Sequence, residues 1–181
     1  MVLRLDWKPV HSGPALAVIA LCTLIGWTAA SSDNTWVPVL DDANLAFHEA
    51  GHVFFAVLGS TMGLYGGTLG QLVFPILTAG SFARQGRVPG AALCLFWLFE
   101  NLINIARYMA DARARLLPLA GGGEHDWLHI LTRWGMLEHD TRLAAVVAAI
   151  GWFGMGATVA WLARRAWQDR EVGFWEPPQL G

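Results

Sequence analysis

A chain of 181 residues has room for one domain, and this one is 55% hydrophobic with only 14% charged residues, against roughly a quarter in ordinary soluble domains. Its 10 Trp and 20 Gly fit the interfacial aromatics and close helix packing of membrane proteins. A formal net charge of -2 leaves no basic surface, which excludes nucleic acid as the expected partner.

In chain order, the first apolar run is PALAVIALCTLIGWTAA, residues 14–30, preceded by Arg4 and Lys8 and just long enough to span a bilayer. Its basic lead and trailing small residues also resemble a cleaved secretory signal; a retained anchor is the expectation. The linker 31–42 is polar, acidic and free of Lys and Arg. Asp41 or Asn44 is expected to cap the next helix, placed at about 43–59, by offering a short side-chain acceptor to its orphan amides. The following stretch, GSTMGLYGGTLGQLVFPILTAGSF, has dense glycine and Pro75 in its middle. That predicts a turn and then a broken or re-entrant helix within 61–83, buried against protein. Arg84 and Arg87 introduce a clear span over 89–107, residues 108–142 form an extensive polar segment, and the last span covers 143–163, closed by Arg164 and Arg165. Cys22 and Cys94 lie in separate apolar runs outside any CxxC pair, and read as buried thiols.

The expected fold is therefore an all-α integral membrane protein: a single domain over 1–181, with four full transmembrane helices and one glycine-rich broken or re-entrant helix. If 61–83 enters and leaves from one side, basic residues at the N-terminus, at 84–87 and at 164–170 place both termini in the cytoplasm of an inner or plasma membrane; if 66–83 crosses fully, the C-terminal arginines lie outside. In the first arrangement the linker 31–42 and the segment 108–142 share the non-cytoplasmic face, where the second caps the site.

The chemistry centres on NLAFHEAGHVFFAVLG, which carries HExxH as His48, Glu49 and His52. A spacing of four residues on a helix turns His48 and His52 the same way, so both can reach one metal ion. Glu49 lies on the adjoining face, where it can accept a proton from attacking water without joining the ligand set. Zn2+ suits an imidazole pair in a tetrahedral site with an open position. Ionisable groups at membrane depth need a partner or an ion.

Two imidazoles need a third ligand, and two regions offer one. In FENLINIARYMADARARLLPL, the residues Glu100, Asn104, Arg107, Tyr108, Asp111 and Arg115 recur at helical intervals as a polar stripe. Asp111 is the ligand candidate there, and Arg107 can orient a substrate carboxylate or steady an oxyanion. In LAGGGEHDWLHI, three glycines allow a sharp turn before Glu124, His125, Asp126 and His129. His125 is the favoured third ligand, with Asp126 supporting an imidazole and His129 a weaker candidate. The glycine-rich stretch 60–70 can line the same site with backbone groups. His11 and His139 read as surface residues.

On these residues the chain resembles integral-membrane zinc metallopeptidases of the site-2 protease group, which carry HExxH in a membrane helix followed by a glycine-bearing re-entrant segment. The resemblance rests on FHEAGHVFFAVLG and LYGGTLGQ, and implies His48 and His52 as ligands and Glu49 as the catalytic base. RYMADARA is similar to the Glu-x-x-Ala-Asp helix of other HExxH membrane peptidases, with Asp111 at the aspartate position and Arg107 where the glutamate would stand. The expected activity is hydrolysis of a membrane-associated peptide or protein substrate beside lipid. The alternatives are a metal-dependent enzyme acting on a lipid or small amphiphile, and a non-enzymatic metal-binding membrane subunit.

Overall fold

The computed structural model describes residues 6–33, 35–119 and 125–173. Arg4 and the GGGE segment 121–124, both used in the sequence reading, lie outside the described residues. The described regular structure is helical: α1 (Ser12–Ser31), α2 (Leu40–Ala56), α3 (Ser60–Arg84), α4 (Val88–Ala110), α5 (Asp126–Arg133) and α6 (Asp140–Gly173), with a 3-10 turn at Leu137–His139.

Three segments are long and apolar enough to cross a membrane: Ser12–Ser31, Val88–Ala110 and Leu137–Arg170. The chain is thus a helical integral-membrane protein. The sequence analysis expects four such spans, the fourth over 43–59, but α2 has only 17 residues and is too short to join this set. The expected broken or re-entrant helix is also corrected. Ser60–Arg84 is one continuous helix of 25 residues with Pro75 inside it, about 37 Å long at helical rise. Gly63, Gly66, Gly67 and Gly70 are contact points rather than breaks, and Pro75 itself is fully buried.

The helix α4 is the central element and touches each of the other five α-helices. It buries Ala91, Ala92, Phe96, Ile103, Ala106 and Met109. Against it, α1 turns in Ala15, Cys22 and Ala29, spaced seven residues apart on one stripe, and leaves Leu16, Leu24 and Trp27 exposed. Exposed Val146, Ile150 and Phe153 on α6 repeat that arrangement, so apolar side chains face outward as a bilayer requires.

Hydrogen bonds gather three chain segments at one end of the bundle. Lys8 N–H donates to the Gly86 carbonyl at 3.0 Å, Val10 N–H to Asp169 Oδ2 at 2.8 Å, and Arg170 Nε–H to Ser12 Oγ at 2.7 Å. Elsewhere, the Arg113 guanidinium pairs with buried Asp140 at 2.7 Å and joins the chain after α4 to the start of α6.

The start of α2 differs from its expected position. The helix begins at Leu40 after Val39, whose φ of 71° is unusual for a β-branched residue. Asp41 lies in the first turn rather than at the cap, and its Oδ2 accepts from Val37 N–H at 2.6 Å. Asn44 is a buried residue one turn farther on.

After Gly59, at a φ of +109°, α3 folds back along α2 with backbones in contact. A Cβ on Gly51 would overlap the Gly66 carbonyl and stand 3.0 Å from Gly70 Cα. One on Gly70 would overlap the Phe47 carbonyl and stand 2.8 Å from Gly51 Cα. Small residues at such positions let helices approach where lipid supplies no hydrophobic drive between them. Gly51→Ala should therefore destabilise the protein by about 1–3 kcal/mol through overpacking. Gly156→Ala, where an added Cβ meets nothing within 4 Å, should be near neutral. Thermal unfolding in detergent micelles, followed by circular dichroism, checks both.

Candidate metal centre

The α2–α3 contact delivers the imidazoles of α2 to the surface of α3. His48 Nε2 lies 2.9 Å and His52 Nε2 3.1 Å from the same atom, Asp126 Oδ2. Asp126 is the first residue of α5, so the pair on α2 is closed by a residue 74 positions after His52. The three ligand-type atoms lie within 4.8 Å of one another, a grouping able to hold a divalent metal ion.

The opposite ring nitrogens show where the protons sit. His52 Nδ1 is 2.8 Å from the Gly63 carbonyl, which can only accept, so His52 carries its proton on Nδ1. His48 Nδ1 is 2.9 Å from Gln71 Oε1, another acceptor. Both Nε2 lone pairs consequently face a carboxylate oxygen with no hydrogen between them, unless an imidazole takes a second proton. Three electron-pair donors converging in this way suit a cation, and an oxygen acceptor behind each imidazole is the usual support of a metal-binding histidine.

The floor of the cluster is Gly67. A Cβ there would overlap His48 Nε2 and stand 2.6 Å from His52 Nε2, so any larger residue would fill the place where the imidazoles converge. Above them opens a cavity of about 940 Å³. Its walls include His48, His52 and Asp126 together with Glu49, Arg107 and Tyr108. Glu49 is exposed on α2, one residue past His48, and faces this space. Arg107 lies over the Trp36 ring at 4.5 Å from the ring centre, at another part of the same wall.

Neither candidate for third ligand joins the cluster. Asp111 ends α4, where its carboxylate accepts from Leu116 N–H at 2.8 Å and Leu117 N–H at 3.0 Å. His125 Nε2 lies 3.5 Å from Asp111 Oδ2, so the two are neighbours of each other. The reason is local. His125 caps α5, its Nδ1 accepting from Leu128 N–H at 3.4 Å, and its ring stacks on Tyr108 at 4.1 Å between centres. The first residue of α5, Asp126, then points the other way, toward α2. Burial pushes the His125 imidazole below its ordinary pKa, with Asp111 and Asp126 opposing. His129 lines the cavity, while His11 and His139 are exposed.

Sequence reasoning found the loop and the glycine-rich wall, and within that loop the structure brings Asp126 rather than His125 to the imidazole pair. That reasoning singled out neither Gln71 nor Gly67 individually, Gly67 entering only as part of the stretch 60–70 and Tyr108 only as part of a stripe. Tyr108 Oη accepts from Asp126 N–H at 3.1 Å and steadies the start of α5. Tyr108, one turn beyond Asn104 on the polar stripe, and Gly67, inside the glycine-rich stretch, carried a signal in the sequence.

Comparison with known families, with curated proteins and with solved structures returns no match. The centre is defined by its own geometry: a buried His/His/Asp cluster in a helical membrane protein.

Asp126→Ala should strip the site of divalent metal, whereas Asp111→Asn should leave occupancy near the wild-type level. Gly67→Ala should weaken binding by roughly 10- to 100-fold or more, since it displaces both imidazoles rather than one supporting partner. Metal content of detergent-purified protein after equilibration with Zn2+ checks all three.

Proposed function

We propose that the protein is a zinc-dependent membrane metallopeptidase, a distant counterpart of the HExxH membrane peptidases that its opening motif resembles. The observation that carries this reading is the convergence of His48 Nε2, His52 Nε2 and Asp126 Oδ2 beside an open cavity. Three protein ligands with space beside them match a catalytic zinc site, which keeps a position free. A structural site fills its fourth position with protein, so the cavity argues against a purely structural role.

When bound, zinc would supply a Lewis acid that polarises a substrate carbonyl and makes nearby water more acidic. The chain's own residues do the rest. Glu49, one residue after the first imidazole and facing the cavity, accepts the proton of the attacking water and passes it to the leaving amine. Arg107, held over Trp36, meets the developing oxyanion or a substrate carboxylate from the far wall. Leu45, Leu64, Leu117 and Leu119 give that wall an apolar lining suited to an extended peptide segment drawn from the bilayer. The same lining accommodates an acyl chain, which keeps a lipid or small amphiphile as the second reading.

The basic residues support an orientation. Arg84, Arg87, Arg164 and Arg165 flank the chain segments gathered at the end of the bundle where Lys8 meets Gly86. We place that end in the cytoplasm of a plasma or inner membrane. Residues 108–142 then form the non-cytoplasmic cap, which lends Asp126, Leu117 and Leu119 to the site.

Glu49→Gln should retain zinc and lower turnover by roughly 10²- to 10⁴-fold, the usual contribution of a general base. Purified protein loaded with Zn2+ would be incubated with a panel of transmembrane peptides in micelles, and cleavage read by mass spectrometry. Equal cleavage by wild type and variant rejects Glu49 as the base. Release of fatty acid from phospholipid micelles without peptide cleavage selects the second reading. Loss of both activities on chelation, with recovery on adding Zn2+, ties the chemistry to the metal.

A further inference from the structure

A chain of buried and partly buried hydrogen bonds leaves the candidate metal centre by way of His48 and ends at Asp41. Asp41 is only 1% exposed, and donors surround it: Val37 N–H at Oδ2, 2.6 Å, with Asn44 Nδ2 at 3.1 Å and Asn104 Nδ2 at 2.7 Å, both on Oδ1. An ionised carboxylate only accepts, so it fixes the amide of Asn104 with its NH2 toward Asp41 and its oxygen away. That oxygen accepts from Gln71 Nε2 at 3.0 Å, which leaves Gln71 Oε1 as the atom facing His48 Nδ1 at 2.9 Å. Asn101 Oδ1 is a weaker second acceptor for Gln71 Nε2 at 3.4 Å. Each amide in the chain has one orientation, and the carboxylate at its end selects it. The participants come from three helices: Asp41 and His48 from α2, Gln71 from α3 and Asn104 from α4.

The alternative state is easily specified. An amide can turn over at no covalent cost. A reversed Gln71 would present NH2 to His48 Nδ1, which must then be bare, and the imidazole proton would move to Nε2. There it occupies the lone pair that points at His52 and Asp126. Ligation at this atom therefore depends on a choice made three side chains away.

We propose that Asp41 is a positioning residue for His48, acting through Asn104 and Gln71 to hold the imidazole in its ligating tautomer and so to set the affinity of the site for a divalent cation. This rests on the reading of His48 as a metal ligand. It adds a role for Asp41, Asn104 and Gln71 that no catalytic step requires of them.

The test uses the full chain in detergent micelles with histidine labelled by 15N. In metal-free wild type, at a pH high enough for the His48 ring to be neutral, the nitrogen spectrum should show the proton on Nδ1 rather than on Nε2. Asn104→Leu should produce the Nε2–H form and weaken Zn2+ binding by roughly 10- to 100-fold in a competition titration with a chelator. Adding Gln71→Glu to that variant should restore both tautomer and affinity, because a carboxylate has no donor face to present. A role confined to packing would not be rescued in this way. Should Asn104→Leu fail to fold, Asp41→Asn replaces it with less change of shape; its amide can reverse the relay, and a mixed tautomer population is expected. Unchanged tautomer and affinity in a folded Asn104→Leu protein, or in Asp41→Asn used in its place, overturns the proposal. Zn2+ failing to bind wild type defeats the metal reading instead, and the metal-free spectra still decide whether the relay sets the tautomer.

Discussion

Everything at the candidate site depends on how closely α2 and α3 approach. Their backbones meet where Gly51 faces Gly66 and Gly70, and no residue with a side chain fits at Gly51 or Gly70 without moving a helix. This contact seats His48 and His52 over Gly67 and brings the Gly63 carbonyl within 2.8 Å of His52 Nδ1. A wider separation would leave two imidazoles beside a gap, with no acceptor behind them. The glycine content of α3 therefore serves the chemistry directly, although glycine lowers helix propensity by roughly 1 kcal/mol per residue relative to alanine. Tertiary contact outweighs that local cost, and α3 stays helical across Pro75 as well.

The polar groups that cross this interface share one design. A charged or polar atom in an apolar bundle must be paired, and almost every such atom here has a partner on a different helix. Trp97 Nε1–H on α4 donates to Asn44 Oδ1 on α2 at 2.7 Å, and the Asn44 amide bridges Asp41 and Glu100. The relay from Asp41 to His48 passes from α2 to α4 to α3 and returns to α2. Such a network gives the helices a specific register as well as cohesion, since a shift along an axis would strand several donors together. Among the described residues, Glu100 Oε1 is an exception, a buried oxygen without a hydrogen-bond partner.

The third member of the cluster comes from outside this three-helix framework. Asp126 is presented by α5, a helix of only eight residues, whose start is fixed by the His125 cap and by Tyr108. The centre is built on α2 and α3 at one side and closed by a short element at the other. Leu117 and Leu119, which precede α5 in the chain, also lie on the cavity wall.

The sequence by itself determined the membrane setting, because low charge and long apolar runs leave few other ways to satisfy this composition. It also determined the imidazole pair, since a four-residue spacing on a helix fixes direction without any tertiary information. The tertiary structure decided the rest. HDW offers two adjacent candidates, and only the direction in which α5 leaves its cap selects Asp126 over His125. Pro75 and the glycines read as helix breakers because propensity is local, whereas Gly63, Gly66, Gly67 and Gly70 meet the surface of α2 and Pro75 is buried within the bundle. Gln71 carried no signal at all, being an ordinary polar residue until α4 placed Asn104 beside it. A ligand set drawn from α2 and α5 is a property of packing, and spacing along a chain cannot encode which of several distant side chains will arrive.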